Sequence, residues 1–351
     1  MAKFIDLTVT AIENTTADAV VVSLRPTDGS VLSYVQGQYL TFKATIDGQE
    51  VRRSYSICSL VGQDIVQVGI KRVHGGAFSN WANGGLTVGD TLKTLSPMGN
   101  FHTPLSPDQS HSYLGFAIGS GITPVLSIIR TTLATEPNSS FSLVYANRSI
   151  QSIMFKEELE DLKNRFMNRL SVTHILKSGQ EDIELFSGRL DQEKLADLFT
   201  KWLHVPNFKT AFICGPEDAM KTIASTLHSF GMAPENIKYE FFGTARPCQA
   251  AQPISDQASA EVHLKVTLDG ASREIAGASG TSLLDAALNA GIEAPYACKA
   301  GVCSTCRCKV TVGAAKMRVN HALEDYEVAQ GYVLSCQAYP TSDQIHFEYD
   351  E

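Results

Sequence analysis

Residues 294–306 of the chain form the stretch APYACKAGVCSTC, and a further cysteine, Cys336, lies downstream of it. Four residues separate Cys298 from Cys303, and two separate Cys303 from Cys306. Three closely spaced cysteines followed by a distant fourth are typical of plant-type 2Fe–2S sites, in which four thiolates hold two irons. Small residues in the stretch let the backbone wrap closely around such a group, namely Ala300, Gly301 and Ser304. The spacing therefore predicts a 2Fe–2S site with Cys298, Cys303, Cys306 and Cys336 as its ligands.

A zinc site is the alternative for the same stretch. Cys308 lies two positions after Cys306, so Cys298, Cys303, Cys306 and Cys308 form a second possible set of four ligands. Structural zinc sites usually take paired ligands from two separate knuckles, which this run of cysteines does not offer. The spacing favours the iron–sulfur cluster and leaves zinc as the competing interpretation.

Length, composition and charge limit the class of protein. A chain of 351 residues is long enough for two or three domains, and its 44% apolar and 19% charged residues are those of an ordinary globular protein. The net charge of −8 argues against a nucleic-acid partner. From residue 255 onward, 13 acidic and 7 basic residues give −6 of that charge. Such an excess either steers a redox domain towards a basic partner or simply keeps its surface solvated.

The cysteine content and the N-terminus predict the compartment. Eight cysteines, four of them assigned to the cluster, indicate a reducing environment and not a disulfide framework. The N-terminus has no signal-peptide hydrophobic region. The uncharged run 112–129 has about the length of a membrane span, but Gly119, Gly121 and Pro124 interrupt it. We therefore expect a cytoplasmic protein with no membrane partner.

The first part of the chain, residues 1–106, predicts a small antiparallel β-barrel. Short runs rich in β-branched and aromatic residues alternate with turn signals such as Asp28-Gly29, Asp47-Gly48 and Gly89-Asp90. The predicted strands are 4–12, 19–24, 39–46, 52–57, 65–70 and 91–94.

Two short motifs in this part could bind a flavin nucleotide. Residues 53–56, RSYS, combine an arginine that can neutralise a phosphate, a ring that can stack and two hydroxyls, but they could equally be plain strand surface. Residues 75–81, GGAFSNW, open a helix with free backbone N–H groups that could hold a pyrophosphate; the alternative is an ordinary capped helix.

Residues 107–243 predict an α/β domain with a doubly wound parallel sheet, because apolar runs alternate with helical patterns. The predicted strands are 113–118, 141–146, 170–176 and 211–214, and the predicted helices are 125–133, 152–165, 192–198 and 217–230. The first strand leads into residues 119–124, GSGITP, where two glycines let the backbone approach a phosphate and Pro124 suits the first turn of the next helix.

Arginines after the second strand predict the choice of nucleotide. A ribose 2′-hydroxyl usually meets Asp or Glu, whereas a 2′-phosphate requires a cation. Arg148, followed by Ser149, therefore favours NADPH, and Arg189 is a plausible second contact. The alternative is that both arginines are ordinary surface residues.

The remainder of the chain predicts a linker and a third domain. Residues 244–260 are rich in Ala, Gln and Ser, contain Pro247 and Pro253, and show no periodicity. Residues 261–351 predict an α+β domain of the β-grasp type, with strands at 262–268 and 273–276, a helix at 282–290, the cysteine stretch and closing strands.

The two flavin motifs together resemble the FAD domain of the ferredoxin-NADP reductase superfamily, whose Arg-x-Tyr-Ser and Gly-x-x-Ser motifs match residues 53–56 and 76–79. Residues 97–101, PMGNF, are similar to that family's closing turn. The resemblance implies that Arg53 and the backbone of 76–79 hold the flavin pyrophosphate, that Tyr55 stacks on the isoalloxazine, and that Ser54 or Ser56 lies near flavin N5. The flavin contacts expected on this basis are Arg53, Ser54, Tyr55, Ser56, Lys71, Gly76, Ala77, Phe78, Ser79 and Phe242.

The second domain resembles the nicotinamide-binding domain of the same superfamily. Cys214-Gly215-Pro216, with Met220 at the matching interval, implies a cysteine beside nicotinamide C4, although a lone strand cysteine is more often a buried core residue. Residues 240–243, EFFG, resemble the family's terminal Glu-x-Phe facing the flavin. The catalytic residues implied are Tyr55, Ser56, Cys214 and Glu240. The nucleotide contacts expected are Gly119, Gly121, Thr123, Pro124, Arg148, Ser149, Arg189, Gly215, Pro216 and Met220.

The cysteine stretch resembles plant-type ferredoxins, which implies that Cys308 is not a ligand. The order of reductase, linker and ferredoxin is similar to the electron-transfer components of bacterial oxygenases, and residues 317–338 most resemble the reductase subunits of phenylacetyl-CoA epoxidases, with 3-ketosteroid 9α-hydroxylase reductases as near relatives. This implies electron transfer from NADPH through FAD and a 2Fe–2S cluster to a terminal oxygenase on separate polypeptides, expected to be di-iron.

Other acceptors stay open, among them a Rieske oxygenase, a steroid hydroxylase, a membrane desaturase or a hybrid-cluster protein. A non-enzymatic redox or zinc-bound regulatory protein is a further alternative.

Overall fold

The computed structural model describes residues 4–178, 183–242, 261–323 and 325–349. The predicted linker, 244–260, and its Cys248 lie outside the described residues. Three groups of β-strands follow one another along the chain, in the order that the sequence predicts. None of the helices in the described ranges combines the length and the apolar character that crossing a membrane requires.

The first group is an antiparallel sheet with the strand order β4-β3-β6-β1-β2-β5. Its elements are β1 (Ile5–Thr16), β2 (Ala19–Pro26), β3 (Tyr39–Ile46), β4 (Gln49–Ser56), β5 (Val66–Lys71), α1 (Ala77–Ala82) and β6 (Thr91–Thr94). An antiparallel bridge between Ile57 and Val68 joins the two edges, so the sheet closes into a barrel. Alternating apolar residues fill its core, including Leu7, Val22 and Phe42. The expected barrel is confirmed, and we refer to it as the barrel.

The second group is a parallel sheet with the order β11-β10-β7-β8-β9. Its elements are β7 (Ser112–Ile118), α2 (Ile122–Thr135), β8 (Ser140–Asn147), α3 (Lys156–Arg165), β9 (Leu170–Leu176), α4 (Gln192–Lys201), β10 (Thr210–Gly215), α5 (Glu217–Ser229) and β11 (Ile237–Phe241). The chain winds outward from β7 in one direction and then returns to its other side, which makes the sheet doubly wound, as predicted. The carboxyl ends of β7 and β10 adjoin at the point of reversal, where such sheets bind ligands.

The third group is a mixed sheet with the order β13-β12-β18-β14-β16, beside a two-stranded sheet of β15 and β17. Its elements are β12 (Glu261–Leu268), β13 (Ala271–Ala278), α6 (Leu283–Asn289), β14 (Arg307–Val312), β15 (Ala315–Met317), α7 (Asp325–Ala329), β16 (Tyr332–Leu334), β17 (Ala338–Pro340) and β18 (Gln344–Glu348). The Ser282 side chain accepts a hydrogen bond from the Asp285 N–H and caps α6. Leu283, Leu284 and Ala287 of α6 pack into the core of this unit.

One predicted helix begins later than expected. The pattern predicts a helix over 152–165, but α3 begins at Lys156. Residues Ile150–Ser152 form a separate 3-10 turn, and Phe155 takes a left-handed backbone conformation with φ of 57°. The Phe155 N–H donates to Thr15 Oγ1 at 2.7 Å, and its ring packs on Gly69 of the barrel. The contact with the barrel therefore displaces the start of the helix.

The parallel sheet also contains a strand that the sequence analysis does not identify. β11 pairs in parallel with β10, with Cys214 opposite Glu240. The strand has only five residues and follows a 3-10 turn, Pro234–Asn236, so its pattern alone is weak. Its position brings Glu240 to the same edge of the sheet as Cys214.

Candidate cofactor sites

The cysteine stretch forms a loop, residues 294–306, which we call the cluster loop. The Cys303 thiol donates to the Cys298 sulfur at 3.0 Å, and the Ala300 N–H points at the same sulfur at 3.3 Å. The thiol of Cys303 is the main cause that lowers the pKa of Cys298 to about 6, and further backbone N–H groups of the loop act in the same direction. The loop therefore supplies the donors that stabilise a thiolate.

The four predicted ligands are arranged in two pairs. Cys298 contacts Cys303, and Cys306 interacts with Cys336, which a separate part of the chain brings to it. Within the described ranges, no three His, Cys, Asp or Glu side chains surround a common point as a single metal ion would need. Two pairs of sulfurs suit a two-iron group, in which each iron takes two thiolates. The donor set fits the 2Fe–2S interpretation better than a single zinc.

Cys308 lies apart from these pairs in the hydrophobic core. It is a buried residue of β14 and packs among the apolar side chains of the third unit. Burial raises the pKa of its thiol, so the group is neutral at neutral pH. This environment is that of a packing residue, and it does not favour the alternative ligand set that includes Cys308.

Most of the expected flavin residues lie on β4 and at α1, next to each other on the barrel, whereas Lys71 ends β5 and Phe242 follows β11. The Tyr55 ring is 5.4 Å from the Phe78 ring and 6.3 Å from the Phe42 ring, measured between centroids. Burial raises the pKa of the Tyr55 hydroxyl, which therefore stays protonated. Arg53 is exposed and donates to the Arg52 carbonyl at 2.7 Å. A ligand that carries both an aromatic ring and a phosphate requires a side chain for stacking and a cation. The half-buried Tyr55 ring and the exposed Arg53 side chain provide these features.

The glycine motif forms the turn before α1. Gly76 is the N-cap of this helix, and Ala77 and Phe78 begin it. The buried Ser79 hydroxyl accepts a hydrogen bond from the Val73 N–H at 3.1 Å, so it shapes the turn from inside. Lys71, at the end of β5, lies 3.6 Å from Asp18.

The glycine loop after β7 forms a 3-10 turn, Gly119–Gly121, and leads directly into α2. Gly119 has φ of 56°, and a Cβ atom there would meet nothing within 4 Å. A Cβ atom on Gly121 would lie 2.1 Å from the Cys214 carbonyl oxygen, so this glycine is needed for packing. Thr123 donates to the Ser120 carbonyl at 3.0 Å, and Pro124 is buried in the first turn of α2. Open space therefore lies beside Gly119 and not beside Gly121.

Arg148 and Arg189 lie at one edge of the parallel sheet. Asn147, the last residue of β8, pairs with Leu176 of β9, and Leu176 forms a parallel bridge with Ser187. Both arginines are exposed just beyond these positions. The Ser149 N–H donates to Ser152 Oγ at 3.0 Å, which fixes the turn after β8. Two cations at the carboxyl edge suit an anionic group of a nucleotide.

The residues expected at the hydride-transfer site come together from two units. Ser56 Oγ of the barrel donates to Glu240 Oε2 of β11 at 2.9 Å. Burial raises the pKa of Glu240 to about 8, although the hydrogen bond from Ser56 opposes this shift. Burial is also the main cause that raises the pKa of the Cys214 thiol, and the Glu240 charge adds to it. Both groups therefore favour their neutral forms at neutral pH.

The other members of these motifs support the same edge. Gly215 donates its N–H to the Met220 sulfur at 3.1 Å, and Pro216 is the N-cap of α5. Phe242 follows β11 directly and is 40% exposed. A cavity of about 450 Å³ opens beside Glu240, and its lining includes Asn100 of the barrel and Cys303 of the cluster loop. Glu240 and Met220, two residues of the expected hydride-transfer and nucleotide sites, thus line a common space with Cys303 of the cluster loop.

The sequence analysis missed residues that join the units. Tyr39 is buried against the cluster loop, and His321 lies with its ring 5.1 Å from that of Phe241. Both contacts connect positions far apart in the chain, and no local pattern marks them.

Comparison with known families covers all three units. Residues 6–103 match the oxidoreductase FAD-binding domain, residues 116–225 the oxidoreductase NAD-binding domain, and residues 266–341 the 2Fe-2S iron-sulfur cluster binding domain. The cofactor classes expected from the sequence, a flavin, a nicotinamide nucleotide and a 2Fe–2S cluster, are confirmed at this level.

Similar proteins span almost the whole chain. The chain is 41% identical to one of the subunits of the 1,2-phenylacetyl-CoA epoxidase of Escherichia coli, over 100% of this chain and 99% of the relative. It is 34% identical to the ferredoxin reductase component of 3-ketosteroid-9-alpha-monooxygenase from Rhodococcus rhodochrous, over 99% of this chain and 97% of the relative. The solved structure of phthalate dioxygenase reductase superposes with a TM-score of 0.61 at 21% identity, covering 98% of each chain, which shows a shared fold. The chain belongs to the family of oxygenase reductase components that contain an FAD-binding, an NAD-binding and a 2Fe–2S domain.

Proposed function

We propose that this protein is the reductase component that delivers electrons from NADPH to the oxygenase of a phenylacetyl-CoA epoxidase, carried on separate polypeptides with a di-iron centre. The identity of 41% along the full length of the Escherichia coli relative supports this choice of acceptor. The 3-ketosteroid reductase component is less similar, at 34%. We further propose domains at 1–106, 107–243 and 261–351, joined by a linker at 244–260, and a cytoplasmic location.

We propose the following cofactor contacts. Arg53 and the turn at 76–79 hold the flavin pyrophosphate, Tyr55 and Phe242 contact its ring, and Ser54, Ser56 and Lys71 complete the site. The glycine loop, Thr123, Pro124, Gly215, Pro216 and Met220 hold the nicotinamide half of the nucleotide. Cys298, Cys303, Cys306 and Cys336 hold the cluster. When bound, these groups supply the conversion of a two-electron hydride into single electrons.

The chain's own residues prepare the hydride-transfer site. Ser56 and Glu240 hold the barrel and the parallel sheet together at the carboxyl edge of the sheet, through the 2.9 Å hydrogen bond. Because Glu240 is largely protonated at neutral pH, it places no full negative charge where the nicotinamide should bind. Cys214, buried and neutral, adds a small side chain next to it. These residues orient the ligand and exclude water without an ionised acid–base pair.

Arg148 and Arg189 support NADPH as the donor. Both are exposed at the edge where the adenosine ribose of a nucleotide lies in doubly wound sheets. A 2′-phosphate makes charge-assisted hydrogen bonds with such side chains, and NADH lacks that group.

The observation that carries the proposal is the shared cavity. Glu240 of the proposed hydride-transfer site and Cys303 of the cluster loop line the same space, which supports two neighbouring redox sites in one chain. This is the arrangement that a reductase needs to pass electrons between two different centres.

The test first measures the cofactor content of the protein and then identifies the oxygenase that accepts its electrons. We expect one FAD, two irons and two labile sulfides per chain, with NADPH-dependent reduction of ferricyanide and cytochrome c. The protein is then combined with the oxygenase subunits of a phenylacetyl-CoA epoxidase, and NADPH consumption should depend on phenylacetyl-CoA. The oxygenase of a 3-ketosteroid monooxygenase is the matched control acceptor. Equal or faster turnover with the 3-ketosteroid monooxygenase would contradict the proposed acceptor. Stoichiometric zinc without labile sulfide would contradict the proposed function as a reductase.

A further inference from the structure

The cluster loop lies directly against the barrel through a buried tyrosine. Tyr39, the first residue of β3, shares hydrogen bonds with Ser304 Oγ at 3.0 Å and with Thr305 Oγ1 at 3.3 Å. Both partners lie between the cluster ligands Cys303 and Cys306. The Tyr39 ring packs with Ala297 and Cys303 and is not part of the apolar core of the barrel. Its contacts therefore serve the junction between the two units.

The same contact continues to the expected flavin strand. Thr41 Oγ1 lies 3.3 Å from Thr305 Oγ1 and 2.9 Å from Ser54 Oγ. In the register of β3 and β4, Tyr39 is opposite Ser56 and Thr41 is opposite Ser54. We call the connected hydroxyl groups of Ser54, Thr41, Thr305, Tyr39 and Ser304 the hydroxyl chain.

Four of the five members of the hydroxyl chain are closed to solvent, and Ser54 at its end is half-buried, which makes its geometry specific. Thr41, Thr305 and Ser304 are buried, as is Tyr39, and burial keeps the pKa of the Tyr39 hydroxyl above its ordinary value. A buried hydroxyl without a partner is costly, so each member depends on the others remaining in place. A shift of the cluster loop along the barrel would leave several of them without partners.

A second contact lies at the same junction. The Arg52 guanidinium of β4 lies 4.1 Å from the centre of the Tyr296 ring, and Tyr296 precedes Cys298 by two positions. This cation–π contact adds attraction at the start of the cluster loop, whereas the hydroxyl chain sets the position at its end.

We propose that Tyr39, Thr41 and Thr305 are positioning residues, which dock the cluster loop on the barrel and thereby set the rate of electron transfer from the flavin site to the cluster. The inference rests on the proposed function. In each transfer, one electron leaves the reduced flavin site and enters the oxidised cluster, no bond forms or breaks, and NADPH supplies the electron pair. Transfer of this kind slows steeply with distance, so a loosened loop slows it while hydride transfer continues.

The experiment compares Tyr39→Phe and Thr305→Val with the control Tyr34→Phe in the full-length holoprotein. Tyr34 is a matched control because it is 6% exposed, like Tyr39, and its hydroxyl also makes two hydrogen bonds, to Ser59 at 2.9 Å and the Leu60 carbonyl at 2.7 Å. Both partners belong to the barrel side of the structure. The control therefore removes a comparable buried hydroxyl without touching the junction.

Two readouts are measured on each variant. Stopped-flow absorbance should show unchanged flavin reduction by NADPH and a flavin-to-cluster step slowed roughly two- to tenfold for each hydrogen bond lost in Tyr39→Phe and Thr305→Val. Hydrogen–deuterium exchange of the resting protein should increase in peptides covering 296–306 and 38–42. Tyr34→Phe should leave both the transfer step and the exchange of 296–306 unchanged. The combined Tyr39→Phe and Thr305→Val variant should show less than the sum of the single effects, because the two residues share a bond.

Unchanged exchange and unchanged transfer in Tyr39→Phe would overturn the proposal, as would equal effects in Tyr34→Phe. If Thr305→Val fails to retain its cluster, Tyr39→Phe alone decides the question, since it alters no residue of the cluster loop. If the parent protein shows no NADPH-dependent flavin reduction, the proposed function fails instead. The exchange measurement still tests the docking contact in that case.

Discussion

Ser56 Oγ and Glu240 Oε2 lie 2.9 Å apart, in a hydrogen bond between residues separated by 184 positions in the sequence. The bond connects β4 of the barrel to β11, the edge strand of the parallel sheet. It brings a carboxyl group into a shielded position, where burial raises its pKa to about 8. The protonation state of Glu240 therefore changes within the range of pH in which the protein can be studied.

The first prediction concerns Glu240→Gln in the flavin-free protein. The folded pKa, about 8, lies above the unfolded value of about 4.3, so folding favours the protonated carboxyl. The protonated Glu240 carboxyl contributes its full stabilisation below pH 4.3, and this stabilisation is lost as the pH rises through 8. The free energy of unfolding of the variant should equal that of the parent at low pH and should exceed it by about 1–2 kcal/mol above pH 8. The difference stays this small because solvent reaches part of the Glu240 side chain.

Denaturant unfolding from pH 5 to 9 measures this difference. Glu235→Gln removes an exposed carboxylate from the turn before β11 and is the control for loss of one charge. A difference between Glu240→Gln and the parent that does not change with pH would contradict the prediction.

The second prediction concerns the nucleotide. Arg148→Ala should raise the KM for NADPH about tenfold or more and change that for NADH little, because a charge-assisted contact is worth about 1.5–3 kcal/mol. Arg189→Ala should act in the same direction. Arg165→Ala is the control, since it removes an exposed arginine at the end of α3, before the amino end of β9. Equal losses with both nucleotides would place Arg148 away from the 2′-phosphate.

The third prediction separates the flavin from the cluster. Cys303→Ser should abolish cytochrome c reduction while NADPH still reduces ferricyanide, because hydride transfer is completed at the flavin. Cys308→Ala is the control, since Cys308 packs in the core of the third unit and is expected to leave two irons and two sulfides in place. Iron, labile sulfide and both reductase activities are measured. Loss of the cluster in Cys308→Ala, with retention in Cys303→Ser, would reverse the ligand assignment.

The fourth prediction compares two glycines of one loop. Gly121→Ala places a Cβ atom 2.1 Å from the Cys214 carbonyl oxygen, so the backbone must shift at a cost of about 1–3 kcal/mol. Gly119→Ala meets no atom within 4 Å but must keep φ of 56°, which costs about 1–2 kcal/mol. We expect Gly121→Ala also to disturb Cys214 and so to slow flavin reduction by NADPH. Thermal unfolding and stopped-flow reduction at saturating NADPH measure the two effects, and an unchanged reduction rate in Gly121→Ala would contradict this view.

Local patterns predicted most of the fold. Strands β3, β6 and β9 have the bounds that the sequence predicts, because apolar and β-branched runs end there at turn residues. The spacing of the cysteines likewise predicted the loop that holds them. Phe155 shows where such reasoning ends: its left-handed backbone depends on a contact with Thr15, 140 positions away, which no local pattern reveals.

In the candidate site, too, the sequence predicts some residues, whereas their contacts depend on parts of the chain that lie far apart in the sequence. Ser56 and Glu240 were expected from a resemblance, but their contact required the unpredicted strand β11. Gly121 was expected to let the backbone approach a phosphate, and the structure adds a packing reason for this glycine that the sequence does not reveal, since a Cβ atom there would meet the Cys214 carbonyl oxygen. Tyr39 and Thr305 carry no signal in the sequence, because each is an ordinary residue until the fold brings them together.

The four proposed ligands differ in their access to solvent. Cys303, Cys306 and Cys336 are buried, whereas Cys298 is only partly buried: it packs against the Tyr39 and Cys303 side chains and lies beside the exposed Lys299. The cluster loop thus packs on the barrel, while an outer side at Cys298 and Lys299 still reaches solvent. A partner at the outer side would not have to displace the barrel. The barrel and a partner protein can therefore contact the loop at the same time, without alternation between two bound forms.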